Sequence, residues 1–237
     1  MSEPPLIRWD APGPYEVAFS TRVGGVSEGP FASLNLGQTT RDARACVDEN
    51  RRRLCAAVGG DPELLAMGYQ QHSTTVNRAA AGVRDIPGDG LWSDAQSQPM
   101  LKLGADCLLV AVARTAGRRP ALAVAHAGWR GLLAGILEAT VRSLDAGTAA
   151  VVGPGIGPCC FEAGPEVAEP FAARFGAGVV RGRYVDLWTA AERALREAGC
   201  STVERVDLCT ACNPDLFFSH RRDGTPRGVQ GVIGLVA

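Results

Sequence analysis

Residues 107–144 read CLLVAVARTAGRRPALAVAHAGWRGLLAGILEATVRSL, and the order of elements in this stretch decides the fold class. Residues 108–113 are an unbroken apolar run, the pattern of a strand covered on both faces. Residues 121–125 make a second such strand. Gly128-Trp129-Arg130-Gly131 then leads into a helix on which Leu133, Ile136, Leu137, Val141 and Leu144 share the 3.6-residue stripe. Buried strands followed by a one-sided helix are the alternation that a layered α/β (α+β) fold requires.

The rest of the chain extends this pattern. Residues 15–21 alternate like a strand and run into the loop Gly24-Gly25-Val26-Ser27-Glu28-Gly29-Pro30. Residues 43–58 read as a helix, with Asp42 as N-cap and Gly59-Gly60 as the stop. Residues 64–70 and 74–79 flank His72 as strands or a bent pair. Residues 149–152 form a short strand that ends in the glycine- and proline-rich loop 153–158. A helix over 187–198 puts Leu187, Ala190, Ala191, Ala194, Leu195 and Ala198 on one face, with Asp186 before it and Gly199 after. Residues 203–208 and 229–236 are expected to close the sheet. No repeat, linker or low-complexity tract divides residues 1–237, so one domain is expected.

Composition excludes several classes. The 24 basic and 25 acidic residues give a net charge of -1, without the basic stripe that grips nucleic acid. The apolar runs fall short of the ~20 residues of a membrane span, and the N-terminus lacks the layout of a signal peptide. A cytoplasmic enzyme is the expectation. In that setting eight cysteines point to metal, catalysis or packing rather than disulfides.

The three histidines stand in unusual places. His72 lies in Gln70-Gln71-His72-Ser73, between two strand-like pieces; His126 ends a buried strand, and Cys107 opens another. Strand ends are where open α/β sheets assemble sites. Two imidazoles and a thiolate suit zinc, and three protein ligands leave a fourth position open. The bland alternative for each residue is a satisfied polar group at the edge of the core. The turn at 126–131 offers backbone N–H groups and Arg130 to an anion, although a surface arginine on an ordinary turn has the same sequence. Cys209-Thr210-Ala211-Cys212 joins Cys159-Cys160 as a possible four-cysteine zinc site. An adjacent cysteine pair is a poor tetrahedral chelate, so these thiols read as structural.

Several phrases together resemble one family, the laccase-domain or YfiH-type proteins, once regarded as polyphenol oxidases and now understood as zinc-containing purine nucleoside enzymes. They are Ser20-Thr21-Arg22, residues 30–37, Gln70-Gln71-His72-Ser73, Asp89-Gly90-Leu91, Ala105-Asp106-Cys107, His126-Ala127-Gly128-Trp129-Arg130-Gly131, residues 156–162, Asp186-Leu187, Cys209-Thr210 and residues 217–223. They run in order along nearly the whole chain. The resemblance implies Zn2+ at His72, Cys107 and His126, and a four-layer α/β/β/α sandwich like that of the cysteine deamidases. It implies phosphorolysis of adenosine, inosine and guanosine, and hydrolytic deamination of adenosine. Three positions depart from the family pattern: Leu109 stands where proline is usual, His220 where tyrosine is common and Pro226 where glycine is usual.

Purine nucleosides and phosphate are therefore the expected partners, nucleic acid and membrane are not, and the assembly is a monomer or a homodimer. Deamination needs a carboxylate as general acid/base, for which Asp89 and Glu162 are candidates. Phosphorolysis needs an anion clamp as positive charge develops on the ribose; Arg22, Arg130 and Arg222 are candidates, and Asn35 could orient sugar hydroxyls. One rival makes Cys107 a nucleophile with His126 or His72 as base, giving an amide or peptidoglycan-precursor hydrolase. Another is a copper polyphenol oxidase, which three histidines serve poorly. A zinc-stabilised binding module is the non-enzymatic rival.

Overall fold

A computed structural model describes residues 3–117 and 119–237. The apolar runs become neighbouring strands, Leu108–Arg114 and Leu122–Ala127, buried almost throughout and paired antiparallel with Leu109 opposite His126. They are the centre of a six-stranded mixed sheet. Thr148–Val152 and then Cys200–Arg205 continue it beside Leu108–Arg114; Gly90–Ser93 and then Val76–Arg78 lie beyond Leu122–Ala127.

A second, four-stranded antiparallel sheet runs in the order Leu6–Trp9, Tyr15–Ser20, Gln230–Val236, Met100–Gly104. The strand expected at 229–236 thus exists but belongs to this sheet and not to the one built on residues 108–113.

Three apolar slabs separate four layers. Leu109, Ala111 and Val124 from one sheet meet Val17, Phe19 and Val232 from the other, closing the space between the sheets. The opposite face of the six-stranded sheet, with Leu108, Val110 and Ala125, packs on the helices through Leu137, Phe171 and Ala191. The outer face of the four-stranded sheet, with Ala18 and Ile233, is covered by Leu54 and Val58 of the Arg44–Ala57 helix region. The expected α/β/β/α order follows from this alternation of apolar faces along the strands.

Local departures have local causes. The helix stripe over 133–144 is two helices, Trp129–Ala134 and Ile136–Arg142, hinged at Gly135, whose φ of 99° places it in the left-handed region. Asp42 does not cap the first helix. Its carboxylate accepts from Ser27 Oγ, Asn35 Nδ2 and the Ala43 amide, and Ala43 occupies the cap position. Asp186 does cap Leu187–Glu197, through the Thr189 amide at 3.0 Å. Among the described residues no helix is long and apolar enough to cross a membrane.

Candidate metal centre

The antiparallel pairing brings two of the expected ligands to one sheet end. With Leu108 opposite Ala127 and Leu109 opposite His126, the next residues outward are Cys107 and Gly128. The two-residue alternation of strands turns Cys107 to the same face as His126. Gly128 stands beside the cysteine without a side chain, and His72 fills that space. A Cβ on Gly128 would lie 2.3 Å from His72 Nδ1 and 3.1 Å from Cys107 Sγ. The three ligand atoms of His72, Cys107 and His126 lie within 4.8 Å of one another, and the imidazole rings meet edge to face with centroids 4.9 Å apart.

Asp89 is the hub of this arrangement. It sits just before the Gly90–Ser93 strand, which pairs with the strand carrying His126. Its backbone carbonyl accepts from the His126 amide, and its carboxylate accepts from His126 Nδ1, both at 2.8 Å. An ionised carboxylate only accepts, so Nδ1 carries a proton, and in the neutral ring Nε2 has the lone pair that a metal needs. The same carboxylate takes the backbone N–H groups of Gln71, His72 and Ser73 and the Ser73 hydroxyl, at 2.7–3.1 Å. One side chain therefore fixes both the orientation of His126 and the loop that presents His72, whose φ is 57°.

The electrostatics agree with this geometry. Burial raises the Asp89 pKa, but the donors converging on the carboxylate outweigh burial and hold it well below the usual range. Burial, and after it the neighbouring His126, lower the His72 pKa and favour the neutral ring. Burial also opposes charge on His126, yet the Cys107 sulfur and Asp89 overrule it and raise the pKa to about 9, so the ring takes a second proton that a metal at Nε2 would displace. His72 Nδ1 is buried and has no hydrogen-bond partner. A buried ring nitrogen without a partner, next to a thiol and a second imidazole, fits a metal ligand set of the N, N, S kind.

Two cavities open on the centre, of about 510 and 470 Å³, and share His72, Cys107 and Arg227 in their walls. Volumes of this order hold a nucleoside. The second cavity also has apolar walls from Trp129, Ile156, Phe161 and Leu187.

The other expected site residues divide sharply. Arg130 lines the second cavity, its guanidinium 4.2 Å from the Trp129 ring centroid. Arg22 does not reach either cavity. It holds the Ala32 and Pro214 carbonyls, lies over Phe218 and lines a separate surface hollow. Arg222 is bound to Asp223 and to the Thr210, Ala211 and Phe217 carbonyls. Asn35 is fully buried and joins Thr40, Asp42, Gly37 and Val229, so it supports its loop. Glu162 turns its carboxylate to Arg183 at 2.5 Å and lines neither cavity.

Three further residues matter here; the sequence marked Asp106 and Arg221 only inside family phrases, and Arg227 only beside the departure at Pro226. Arg227 faces both cavities and leaves a buried Nε without a partner. Asp106, at φ 91°, accepts from the Thr210 hydroxyl and the Arg221 amide, both at 2.6 Å, and so ties the helix His220–Asp223 to the bend that holds Cys107, just before the strand Leu108–Arg114. Arg221 lines the second cavity while donating to the Cys160 and Glu162 carbonyls. A single arginine in a polar loop has no periodic pattern to mark it. Only the Ala105-Asp106-Cys107 phrase hinted at Asp106.

Comparisons with known proteins agree with this architecture. The chain is 39% identical over 225 residues to the purine nucleoside phosphorylase PA4543 of Pseudomonas aeruginosa, covering 90% of each chain. It is 35% identical to the purine nucleoside phosphorylase YfiH of Escherichia coli over 246 residues, spanning 100% of both. The crystal structure of Neisseria meningitidis protein NMB0706 superposes with a TM-score of 0.89 at 32% identity, over 99% of each chain. The profile of one family matches residues 16–236. With that span and those relatives, the chain belongs to the family described as multi-copper polyphenol oxidoreductase laccase.

Proposed function

We propose that the chain is a zinc-dependent purine nucleoside phosphorylase whose metal is held by His72, Cys107 and His126. The observation that carries this reading is the orphaned His72 Nδ1 beside Cys107 and His126, on the wall of cavities of nucleoside size. The relatives, named purine nucleoside phosphorylases, supply the substrate class. Zinc is preferred to copper because two imidazoles and a thiolate suit it, and because three histidines in the whole chain are too few for several copper centres.

A metal held by His72, Cys107 and His126 would supply a Lewis acid. The chain's own residues do the rest. Asp89 keeps His126 in the ligating tautomer. Arg227 and Arg130 form the anion clamp that holds phosphate while positive charge grows on the ribose. Trp129 and Phe161 offer flat apolar surface to the purine. In the reaction the bond from ribose to base breaks, phosphate takes the ribose carbon, and the base leaves with a proton.

Adenosine deamination is proposed as the lesser activity. It calls for a carboxylate free to exchange a proton, and both candidates are engaged: Asp89 with five donors and Glu162 with Arg183.

One observation favours a second reading. Asp89, His126 and Cys107 stand in the order of a hydrolytic triad, with Cys107 as nucleophile. A single assay separates the readings. Purified protein is incubated with adenosine, inosine or guanosine, with and without phosphate, and free base, ribose phosphate and inosine are measured before and after chelation. Phosphate-dependent release of base that chelation abolishes and zinc restores is the expected result. No turnover with zinc verified as bound would refute the phosphorylase reading; a parallel incubation with an amide substrate that is hydrolysed equally before and after chelation would favour the thiol nucleophile.

A further inference from the structure

Away from the centre, the fold gathers four cysteines that lie in two pairs far apart in sequence. Cys159 and Cys160 follow the strand Thr148–Val152; Cys209 and Cys212 follow the strand Cys200–Arg205. These strands are parallel neighbours in the six-stranded sheet, so the segments that follow leave the same sheet end. Gly155 then bridges to Cys209, and the Thr210 amide donates to the Gly155 carbonyl at 3.0 Å.

The result is a compact thiol cluster. Cys212 Sγ lies 3.5 Å from Cys159 Sγ and 3.3 Å from Cys160 Sγ. All four sulfurs fall within 4.8 Å of one another. A tetrahedral tetrathiolate zinc site, with Zn–S bonds of ~2.3 Å, needs sulfurs roughly 3.8 Å apart. The adjacent pair, a poor chelate in extended chain, converges because Cys160 lies in a turn: its amide donates to the Gly157 carbonyl at 2.9 Å. Cys209 Sγ accepts the Gly157 amide at 3.2 Å. An amide aimed at sulfur stabilises it as a thiolate, the form that binds metal.

We propose that Cys159, Cys160, Cys209 and Cys212 form a second metal site, a closed tetrathiolate zinc site of structural kind. It clamps the 153–162 loop to the 206–213 segment. Both carry residues that reach the first centre: Thr210 donates to Asp106, and Arg221, on the cavity wall, donates to the Cys160 carbonyl. The second ion thus fastens one wall of the substrate cavity without touching substrate. Zinc takes the place of four thiol protons, which pass to solvent, and no oxidant is involved. The proposal is independent of the reaction assigned to the first centre.

The test is metal stoichiometry in the intact chain, purified with reductant and zinc. About two zinc ions per chain are expected for the natural sequence and about one for Cys159→Ser/Cys212→Ser, whose replaced side chains are both exposed. An unchanged zinc content in that variant overturns the proposal. So does a disulfide mapped to two of these four cysteines in protein purified without reductant, or iron with acid-labile sulfide in place of zinc. Cobalt loading of Cys107→Ser gives a second measurement that leaves the cluster intact. Strong sulfur-to-cobalt absorption should persist, since four sulfurs remain, and its disappearance would leave Cys107 as the only thiolate ligand and refute the site.

Discussion

Replacing Gly128 by alanine tests the centre with a single carbon atom. The backbone at Gly128 has φ -66° and ψ 160°, a conformation any residue adopts, so alanine adds no backbone strain and restricts the unfolded chain by ~0.4–1 kcal/mol. The added Cβ, however, would lie 2.3 Å from His72 Nδ1 and 2.5 Å from Cε1. Contact distances of ~3.5 Å require the ring to withdraw by about 1.2 Å. Ligand distances tolerate only ~0.2 Å, so His72 can no longer share an ion with Cys107 and His126. The expected loss is on the order of 100-fold in zinc affinity, about 2.7 kcal/mol. The metal-free protein should melt within a few degrees of its parent. Competition with a chromophoric chelator measures the first quantity, and thermal unfolding with the metal removed measures the second. Zinc affinity within threefold of the natural sequence would refute the geometry, because no position of the ring would then conflict with the methyl group.

Further outcomes follow from the same contacts. Asp89→Asn should cost about 3 kcal/mol, since an amide cannot accept from five donors, and should weaken metal binding ~10–100-fold; denaturant unfolding and metal competition read the two effects. Because the Asp89 carboxyl is held below its ordinary range, its contribution is complete above the unfolded value of ~3.9 and declines as pH falls below it. The acid limb of the stability curve should therefore flatten in that variant. Lys102, the only lysine in the sequence, is fully buried, donates to the Gly88 carbonyl at 2.6 Å, and has its pKa pushed down to about 8 by burial. A lysine lowered from 10.5 destabilises the fold by about 3 kcal/mol below pH 8, and the penalty fades as pH rises towards 10.5. The natural chain should gain stability across that window relative to Lys102→Met; equal changes in urea unfolding free energy between pH 7.5 and 10 for the two proteins would contradict the assignment. Arg227→Ala should raise the KM for phosphate ~10–100-fold, the weight of one or two charge-assisted hydrogen bonds, with little change in melting temperature. An unaltered KM would remove Arg227 from the clamp.

What the sequence discloses depends on how local the cause is. The Leu108–Arg114 and Leu122–Ala127 strands and the Asp186-capped helix are legible because continuous burial and a one-sided stripe are properties of short windows. The cluster of His72, Cys107 and His126 is legible by another route, through residue chemistry and a family phrase around each residue. The partition into two sheets is not, because nothing within residues 229–236 states which strand they pair with. The arginines divide for the same reason. Arg22 and Arg222 occupy family phrases, yet backbone carbonyls brought close by distant segments hold them in place, while Arg227 reaches the cavity from an undistinguished loop. The cysteine pairs mislead in the opposite sense: a turn at Gly157 makes a ligand pair of two neighbours that look incompatible when drawn out straight.

The Gln230–Val236 strand, placed between Tyr15–Ser20 and Met100–Gly104, bears on how the protein is made. A ribosome releases residues 230–236 after both of the strands they join, so Tyr15–Ser20 and Met100–Gly104 cannot be bridged into one sheet until this segment has emerged, and their inner edges have no native partner before then. Stalled or shortened translation products that lack this segment should accumulate as aggregates rather than as a diminished but working enzyme.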